Sequence, residues 1–584
     1  PLGKPSSLSE YILSESELFN LAVIGSLPGR GISQVRIHWL LDLISVSCVD
    51  EKGEPHYNFT LLDRLLDWLH TFRLNPGFEL MGNPSQFYSN FSNKTQVQQW
   101  SHLVEQIAAR YIERYGMETV ETWRFETWNE PDLKGYNILN FTLPSYLRYF
   151  TASVEGLKKA GNGRLRIGGP AGTFGDRKKH ALCWGLVEHC ANMIHCPLDF
   201  ISFHKKGGGH VNAILQQDIE LALNTKKDYP TLTTIPFAND ESDPLKNWSL
   251  NETWRGDVRY GAMVASVIVA HQDVMVKRYG LPVSLLSNDN AFLNYHPFYF
   301  NQRTLLARFQ MNRTEPPHVQ FFKKPVYTTM ALLSLLGNQE MAVTIKHPDN
   351  RLSVVAAEDW TRGTRSIAVL VVFSNDTVSD LEDILSIKLQ LRNISDVTAR
   401  YVVYLLDNNA TNPQQVWLNA GSPVFPELQQ RFQMRSAEGP YRARGPAEVP
   451  RSGDVELLLP VSLPSVVLVH LCSRAAETPG QVSGVLVCNV TYNEVMIFWS
   501  DQHVLTRCIK TYEIEFCAQS SKTFRRINLE DTIFLSYQYV VTSDLEEVKG
   551  RYRVRAVDYW SRPGPYSSPI VYPGKFSCPK FLNK

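Results

Sequence analysis

Between residues 15 and about 337 the chain repeats one pattern, a short apolar run followed by an amphipathic stretch of helical period. That rhythm constrains the fold more than any other feature, because strands that alternate with helices must pair in parallel. The apolar runs are Gln34 to Trp39, Gly77 to Gly82, Arg124 to Trp128, Leu165 to Gly169, Leu198 to His204, Thr233 to Asn239 and Val283 to Ser287. Helices are predicted over Leu61 to Phe72, Gln96 to Tyr115, Ser145 to Ala160 and Arg259 to Tyr279. In the second of these Trp100, Val104, Ile107, Tyr111 and Tyr115 recur at three- and four-residue steps, which makes one core-facing stripe. The pattern predicts a (β/α)8 barrel over residues 1–337. Seven strands are legible where eight are needed, and Glu15 to Ile24 already reads as a helix, so the first strand is expected to lie in an earlier part of a longer natural protein.

After Gly337 the pattern becomes all β. Ser366 to Phe373, Ala399 to Leu406, Val455 to Leu459 and Val466 to Leu471, parted by turns and by a Pro/Gly/Arg-rich stretch from Arg435 to Gly453, predict a β-sandwich over 338–477. A third unit, 478–584, has strand character at Val495 to Trp499, Thr511 to Cys517 and Tyr552 to Val557. No apolar run reaches the roughly 18 to 20 residues of a membrane span. Val461 to Cys472 comes nearest and is interrupted by Pro464. A formal net charge of +1 provides no global field for a nucleic acid backbone. The chain begins at Pro1 without a signal peptide and reads as a processed or truncated product.

Eleven Asn-x-Ser/Thr sequons favour the secretory pathway: Asn58, Asn90, Asn93, Asn140, Asn247, Asn251, Asn312, Asn375, Asn393, Asn409 and Asn489. Asn58, Asn140, Asn312 and Asn375 are the glycosylation sites we expect. Nine cysteines leave at least one unpaired. Cys472 and Cys508 flank a β-rich segment and are the expected disulfide. Cys183, Cys190 and Cys196 cluster near His189 and His195, but no paired CxxC or HxxxH spacing accompanies them, so neither a metal nor a cofactor is expected.

Active sites of α/β barrels lie at the C-terminal ends of the strands. Phe125-Glu-Thr-Trp-Asn-Glu-Pro-Asp132 runs an apolar strand into Asn129-Glu130 and breaks it at Pro131. Thr233-Thr-Ile-Pro-Phe-Ala-Asn-Asp-Glu241 ends a later strand in a second carboxylate, with Asp240 as its rival. Counting the strand expected upstream, these are the fourth and seventh staves. Two carboxylates across a pocket suit glycoside hydrolysis: about 5 to 5.5 Å apart, one attacks the anomeric carbon and the other protonates the leaving oxygen. Glu130 is read as acid/base and Glu241 as nucleophile. An acidic optimum follows, since the acid must hold its proton. Other strand ends add Arg36 and His38, then His204, Lys205 and Lys206, then Asp289 with Arg303 soon after. So many cations suit a sugar that carries a carboxylate. Lys205 is expected to face away from the mouth, because strand residues alternate.

With these residues in view the chain resembles glycoside hydrolase family 39. Gln34-Val-Arg-Ile-His-Trp39, Gly77-Phe-Glu-Leu-Met-Gly82, Phe125 to Asp132, Leu198 to Gly207, Asn239-Asp-Glu-Ser-Asp-Pro244, Leu286 to Phe292 and Arg551 to Gly564 carry the likeness over nearly the whole length. The resemblance implies a barrel, a β-sandwich and a fibronectin type III-like domain. It further implies removal of terminal α-L-iduronic acid from dermatan sulfate and heparan sulfate in the lysosome, with retention at the anomeric centre. Carried over by position, Glu130 is the acid/base, Glu241 the nucleophile, and His38, Asn129, His204, Lys206, Asp289 and Arg303 are substrate contacts. A β-xylosidase of the same family and a non-catalytic glycan-binding protein are the alternatives.

Overall fold

The computed structural model describes residues 5–246, 250–288, 292–293, 297–314, 317–361, 363–396, 398–502, 504, 507–542 and 547–574. The chain divides into two compact units, Pro1–Leu18 with Ser33–Lys246 and Ala270–Ala291, and Phe19–Ile32 with Asn247–Val269 and Phe292–Lys584.

The first unit holds a parallel sheet of seven strands in sequential order: β1 (Gln34–Ile37), β2 (Asn75–Glu79), β3 (Arg124–Glu126), β4 (Arg166–Gly172), β5 (Phe200–Phe203), β6 (Phe237–Asn239) and β7 (Val283–Leu286). Arg124 on β3 donates to the Ser284 carbonyl on β7 at 2.7 Å. A contact between strands so far apart in the order requires the sheet to curl, and the architecture is that of a barrel. The helices cover its outside. In Lys94–Tyr115 the side chain of Asn93 caps the first turn, and Trp100, Val104, Ile107 and Tyr111 are fully buried. Each such burial contributes roughly 1.5–3 kcal/mol. The partner helix, Leu143–Gly161, starts at a Thr142–Ser145 capping box. The two approach so closely that a Cβ at Gly156 would lie 2.4 Å from the Ser101 carbonyl.

In the second unit a six-stranded sheet, with its strands in the order Gln339–Met341, Leu352–Thr361, Thr364–Phe373, Ser465–Cys472, Arg400–Asp407 and Tyr441–Glu448, is accompanied by the pair Ile384–Leu391 and Val455–Ser462. Val369, Val371, Phe373, Leu457 and Val469 belong to the shared core. The stretch Arg435 to Gly453, read from sequence as a separator, contains a strand, Tyr441–Glu448. It survives Pro446 because it is an edge strand with register shifts, where a missing N–H costs little. Beyond it, Ser483–Asn489, Glu494–Ser500 and Ser536–Val540 form one sheet, and Arg525–Arg526, Ile509–Ala518, Gly550–Asp558 and Ile570–Tyr572 another.

Cys472 and Cys508 are disulfide-bonded, as are Cys190 and Cys196. Together with the cluster around Tyr559, the first bridge ties 338–477 and 478–584 into one compact unit. It closes a loop of 36 residues. Loop-closure entropy at that length makes Cys472→Ser cost about 3–4 kcal/mol, read as a lowered urea midpoint with little change in activity. A midpoint equal to wild type would show that packing alone holds this join.

Candidate active site

Three strand ends deliver the chemistry. Beyond β3 the chain continues to Asn129 and Glu130, and Glu130 has φ +42°, the left-handed region that a residue with a side chain rarely enters. Two hydrogen bonds hold it there: its N–H donates to the Ala171 carbonyl at 2.8 Å, and its carbonyl accepts the Leu133 N–H at 2.9 Å. Such backbone costs of order 1–3 kcal/mol and persists where the surroundings enforce it. Beyond β6 come Asp240, whose N–H donates to the Phe203 carbonyl at 3.0 Å, and Glu241, whose N–H meets Asn239 Oδ1 at 3.3 Å. Beyond β5 come His204, Lys205 and Lys206. Gly207 and Gly209 donate to the Asp243 and Pro244 carbonyls at 3.0 and 2.8 Å, which fastens the β5 and β6 loops together. A Cβ at Gly207 would lie 2.1 Å from the His210 carbonyl, so only glycine permits this approach.

These ends converge. A carboxylate oxygen of Glu130, one of Glu241 and a ring nitrogen of His204 all lie within 4.8 Å of one another. His204 Nδ1 is 3.0 Å from Glu130 Oε1 and 3.8 Å from Glu241 Oε2. Lys206 Nζ sits 2.6 Å from Glu241 Oε2, while Arg36 Nη1 and His38 Nε2 lie 3.6 and 3.7 Å from its other oxygen. Burial alone would push the Glu241 carboxyl up, but the charges of His204, Lys206, His38 and Arg36 hold it well below the usual carboxylate range. His38 is likewise drawn down by burial and more strongly up by Glu79, whose two oxygens are each 2.9 Å from its Nδ1. Lys206 takes up one Glu241 oxygen directly, an arrangement that suits acid–base and nucleophilic chemistry. With their nearest oxygens within 4.8 Å, the two carboxylates lie closer to the spacing of retaining glycosidases, about 5–5.5 Å, than to the wider gap of inverting ones.

Residues 16–456 match the family described as Glycosyl hydrolases family 39, and residues 483–574 match the Alpha-L-iduronidase C-terminal domain. The chain belongs to glycosyl hydrolase family 39. Alpha-L-iduronidase from Mus musculus is 41% identical over 96% of this chain and 91% of its own. A crystal structure described as the bacterial orthologue of human α-L-iduronidase superposes with a TM-score of 0.84 at 27% identity, covering 96% of this chain and 95% of the other. A beta-xylosidase from Caldicellulosiruptor saccharolyticus is 24% identical over 68% of this chain and 79% of its own.

Within this family 39 chain the structure gathers His38, Asn129, His204 and Lys206 around Glu130 and Glu241. Asn129 is fully buried; its Oδ1 accepts from Arg36 Nη2 at 2.9 Å, and its Nδ2 has no protein partner among the described residues. Asp289 lies outside the described residues, and Arg303 is a buried residue of the second unit. Lys205 donates instead to the Thr173 carbonyl at 2.7 Å. Trp39 and Tyr136 stack at 6.2 Å between centroids, and Tyr136 lies 6.0 Å from the His38 ring, an aromatic wall beside the pocket. Burial and the nearby carboxylates push the Tyr136 phenol up to about 12.

Sequence reasoning counted Arg36 only among the strand-end cations that would suit an acidic sugar, and in the structure it is the hub of the floor. Its guanidinium meets Glu126 Oε2 at 2.6 Å, Glu79 Oε1 at 2.8 Å and Asn129 as well as Glu241. The available signal was a charged residue at the second position of each of three neighbouring strand motifs, Val35-Arg36, Phe78-Glu79 and Phe125-Glu126, where a barrel strand has no solvent to receive it.

Proposed function

We propose that this protein is a retaining exo-glycosidase that removes terminal α-L-iduronic acid from dermatan sulfate and heparan sulfate. The carrying observation is the convergence of Glu130 and Glu241 under Lys206, His38 and Arg36, in a chain whose full length resembles α-L-iduronidases. In this reading the Glu241 carboxylate attacks the anomeric carbon while Glu130 gives its proton to the departing glycosidic oxygen. Glu130 then takes a proton from water, whose oxygen displaces Glu241 and restores both groups. The electrostatic environment supports this division: Glu241, beside Lys206, stays ionised in acid, as a nucleophile must. His38, Asn129, His204 and Lys206 are assigned as substrate contacts. Asp289 and Arg303 are assigned to the same role by resemblance.

The proposal extends to a lysosomal location reached through the secretory pathway, with glycans on Asn58, Asn140, Asn312 and Asn375. The first three of these asparagines are exposed and the fourth is half-buried, so all are open to modification. No described helix is long and apolar enough to cross a membrane. The proposed domain limits are 1–337, 338–477 and 478–584.

A β-xylosidase would use the same carboxylates on a sugar without its own charge, and a glycan-binding protein would use none. The separating assay is turnover of an aryl α-L-iduronide and an aryl β-xyloside side by side near pH 5. Only the iduronide is expected to turn over, and preference for the xyloside overturns the assignment. Lys206→Ala is expected to raise KM for the iduronide roughly tenfold, the worth of one charge-assisted hydrogen bond. Because Lys206 also holds Glu241 down, its loss raises that pKa, and the acid limb of kcat/KM moves to higher pH. An unchanged KM and acid limb would show that Lys206 neither binds the acidic sugar nor tunes Glu241.

A further inference from the structure

Directly before the proposed nucleophile stands Asp240, a second acidic residue, only 4% exposed. Its Oδ2 and Glu126 Oε1 are both sealed from solvent, and neither meets an N–H or O–H donor among the described residues. The two carboxyl groups are nonetheless within hydrogen-bonding reach of each other. Two bare carboxylate oxygens repel; they settle at such a distance when a proton lies between them.

Arg36, the cation that meets Glu126, is already set by direct ion pairs against Glu79, Glu126 and Glu241. Among the described residues no ion pair reaches Asp240 itself, so a charge there would stand in a nearly dry space without a direct counterion.

We propose that Asp240 is a permanently protonated positioning residue, donating its carboxylic acid proton to Glu126 and so fixing the Arg36 guanidinium between Asn129 and Glu241. The inference rests on Glu241 being the nucleophile. Burial and the neighbouring Glu126 charge push the Asp240 acid well above its ordinary range, opposed by Arg36 and reinforced by Glu79. Glu126 moves the opposite way: burial pushes it up, but Arg36 and the hydrogen bonds from Asp240 and Ser202 bring it below the ordinary range. Arg124, at the start of β3, is the further charge acting on Asp240. The flanking strands β5 and β7 contain no titratable side chain.

Asparagine is the isostere of a protonated aspartic acid: it is neutral and keeps a donor toward Glu126. Asp240→Asn is therefore expected to retain kcat within about threefold, while Asp240→Ala, which strands Glu126 Oε1, loses tenfold or more. Asp240→Asn falling as far as Asp240→Ala would overturn the positioning role.

A second measurement needs only the folded wild type and Asp240→Asn. An acid whose pKa is raised by folding keeps its proton in the native state and releases it on unfolding at any pH between its two values. Its contribution to stability is therefore complete below the unfolded value and declines as pH rises toward the folded one. Near pH 6 the pH dependence of unfolding should report about one more proton released by wild type than by Asp240→Asn. Equal proton counts would overturn the shared proton. A wild type inert toward iduronides would overturn the proposed function instead, and the proton count would still decide the state of Asp240.

Discussion

Glu241→Gln is expected to lower kcat on an aryl α-L-iduronide by roughly four to six orders of magnitude, as removal of a nucleophile does in other covalent mechanisms. The amide keeps the shape but lacks the charge that Lys206 at 2.6 Å and Arg36 at 3.6 Å hold in place. The cations then face no anion, so KM for the anionic sugar should stay the same or fall while turnover collapses. A fluorinated iduronide that traps the glycosyl-enzyme should label wild type on the peptide containing Glu241 and leave the variant unlabelled. Label on Asp240 or Glu130, or a variant within a hundredfold of wild type, would remove Glu241 from its role.

Glu130→Gln should behave differently. Loss of a general acid costs about 10²–10⁴-fold, and the cost depends on the leaving group. A sugar-linked or methyl iduronide, whose departing oxygen needs a proton, should suffer the full loss. A dinitrophenyl iduronide, whose leaving group departs unassisted, should form the glycosyl-enzyme at near wild-type rate and stall at hydrolysis, which appears as a burst. His204 Nδ1, 3.0 Å from Glu130 Oε1, is the group that orients this side chain. An equal loss on both substrates would show that Glu130 acts through binding and not through proton transfer.

Much of the barrel was legible because each strand and helix has a period that one sequence can display. All seven apolar runs became strands of one parallel sheet. The ends moved for local reasons. The run predicted to end at Gly169 extends to Gly172, and its glycines admit neighbours: a Cβ at Gly168 would lie 2.1 Å from the Phe200 ring. The run beginning at Thr233 pairs only from Phe237, after a 3₁₀ turn at Pro230–Leu232 and past Pro236, which has no N–H for a ladder. The helix predicted to Tyr279 is α-helical to Ala270 and continues as π-helix over His271–Arg278.

The site was legible where a motif places a residue at a strand end, as for Asn129, Glu130, Glu241, His38, His204 and Lys206. It was not legible where function depends on which side chains meet across the lumen. Nothing near Arg36 in the sequence announces Glu79, Glu126 and Asn129 as its partners, and what separates Asp240 from Glu241 is the neighbour that the fold gives each, Glu126 for the one and Lys206 for the other.

The left-handed backbone at Glu130 sets a trap for protein engineering. Glycine or asparagine would sit there with less torsional penalty, so variants selected for heat resistance alone are drawn toward discarding the residue assigned as proton donor. Directed evolution of this scaffold therefore needs catalysis scored in every round, or it will enrich sturdy barrels with nothing left to protonate a departing sugar.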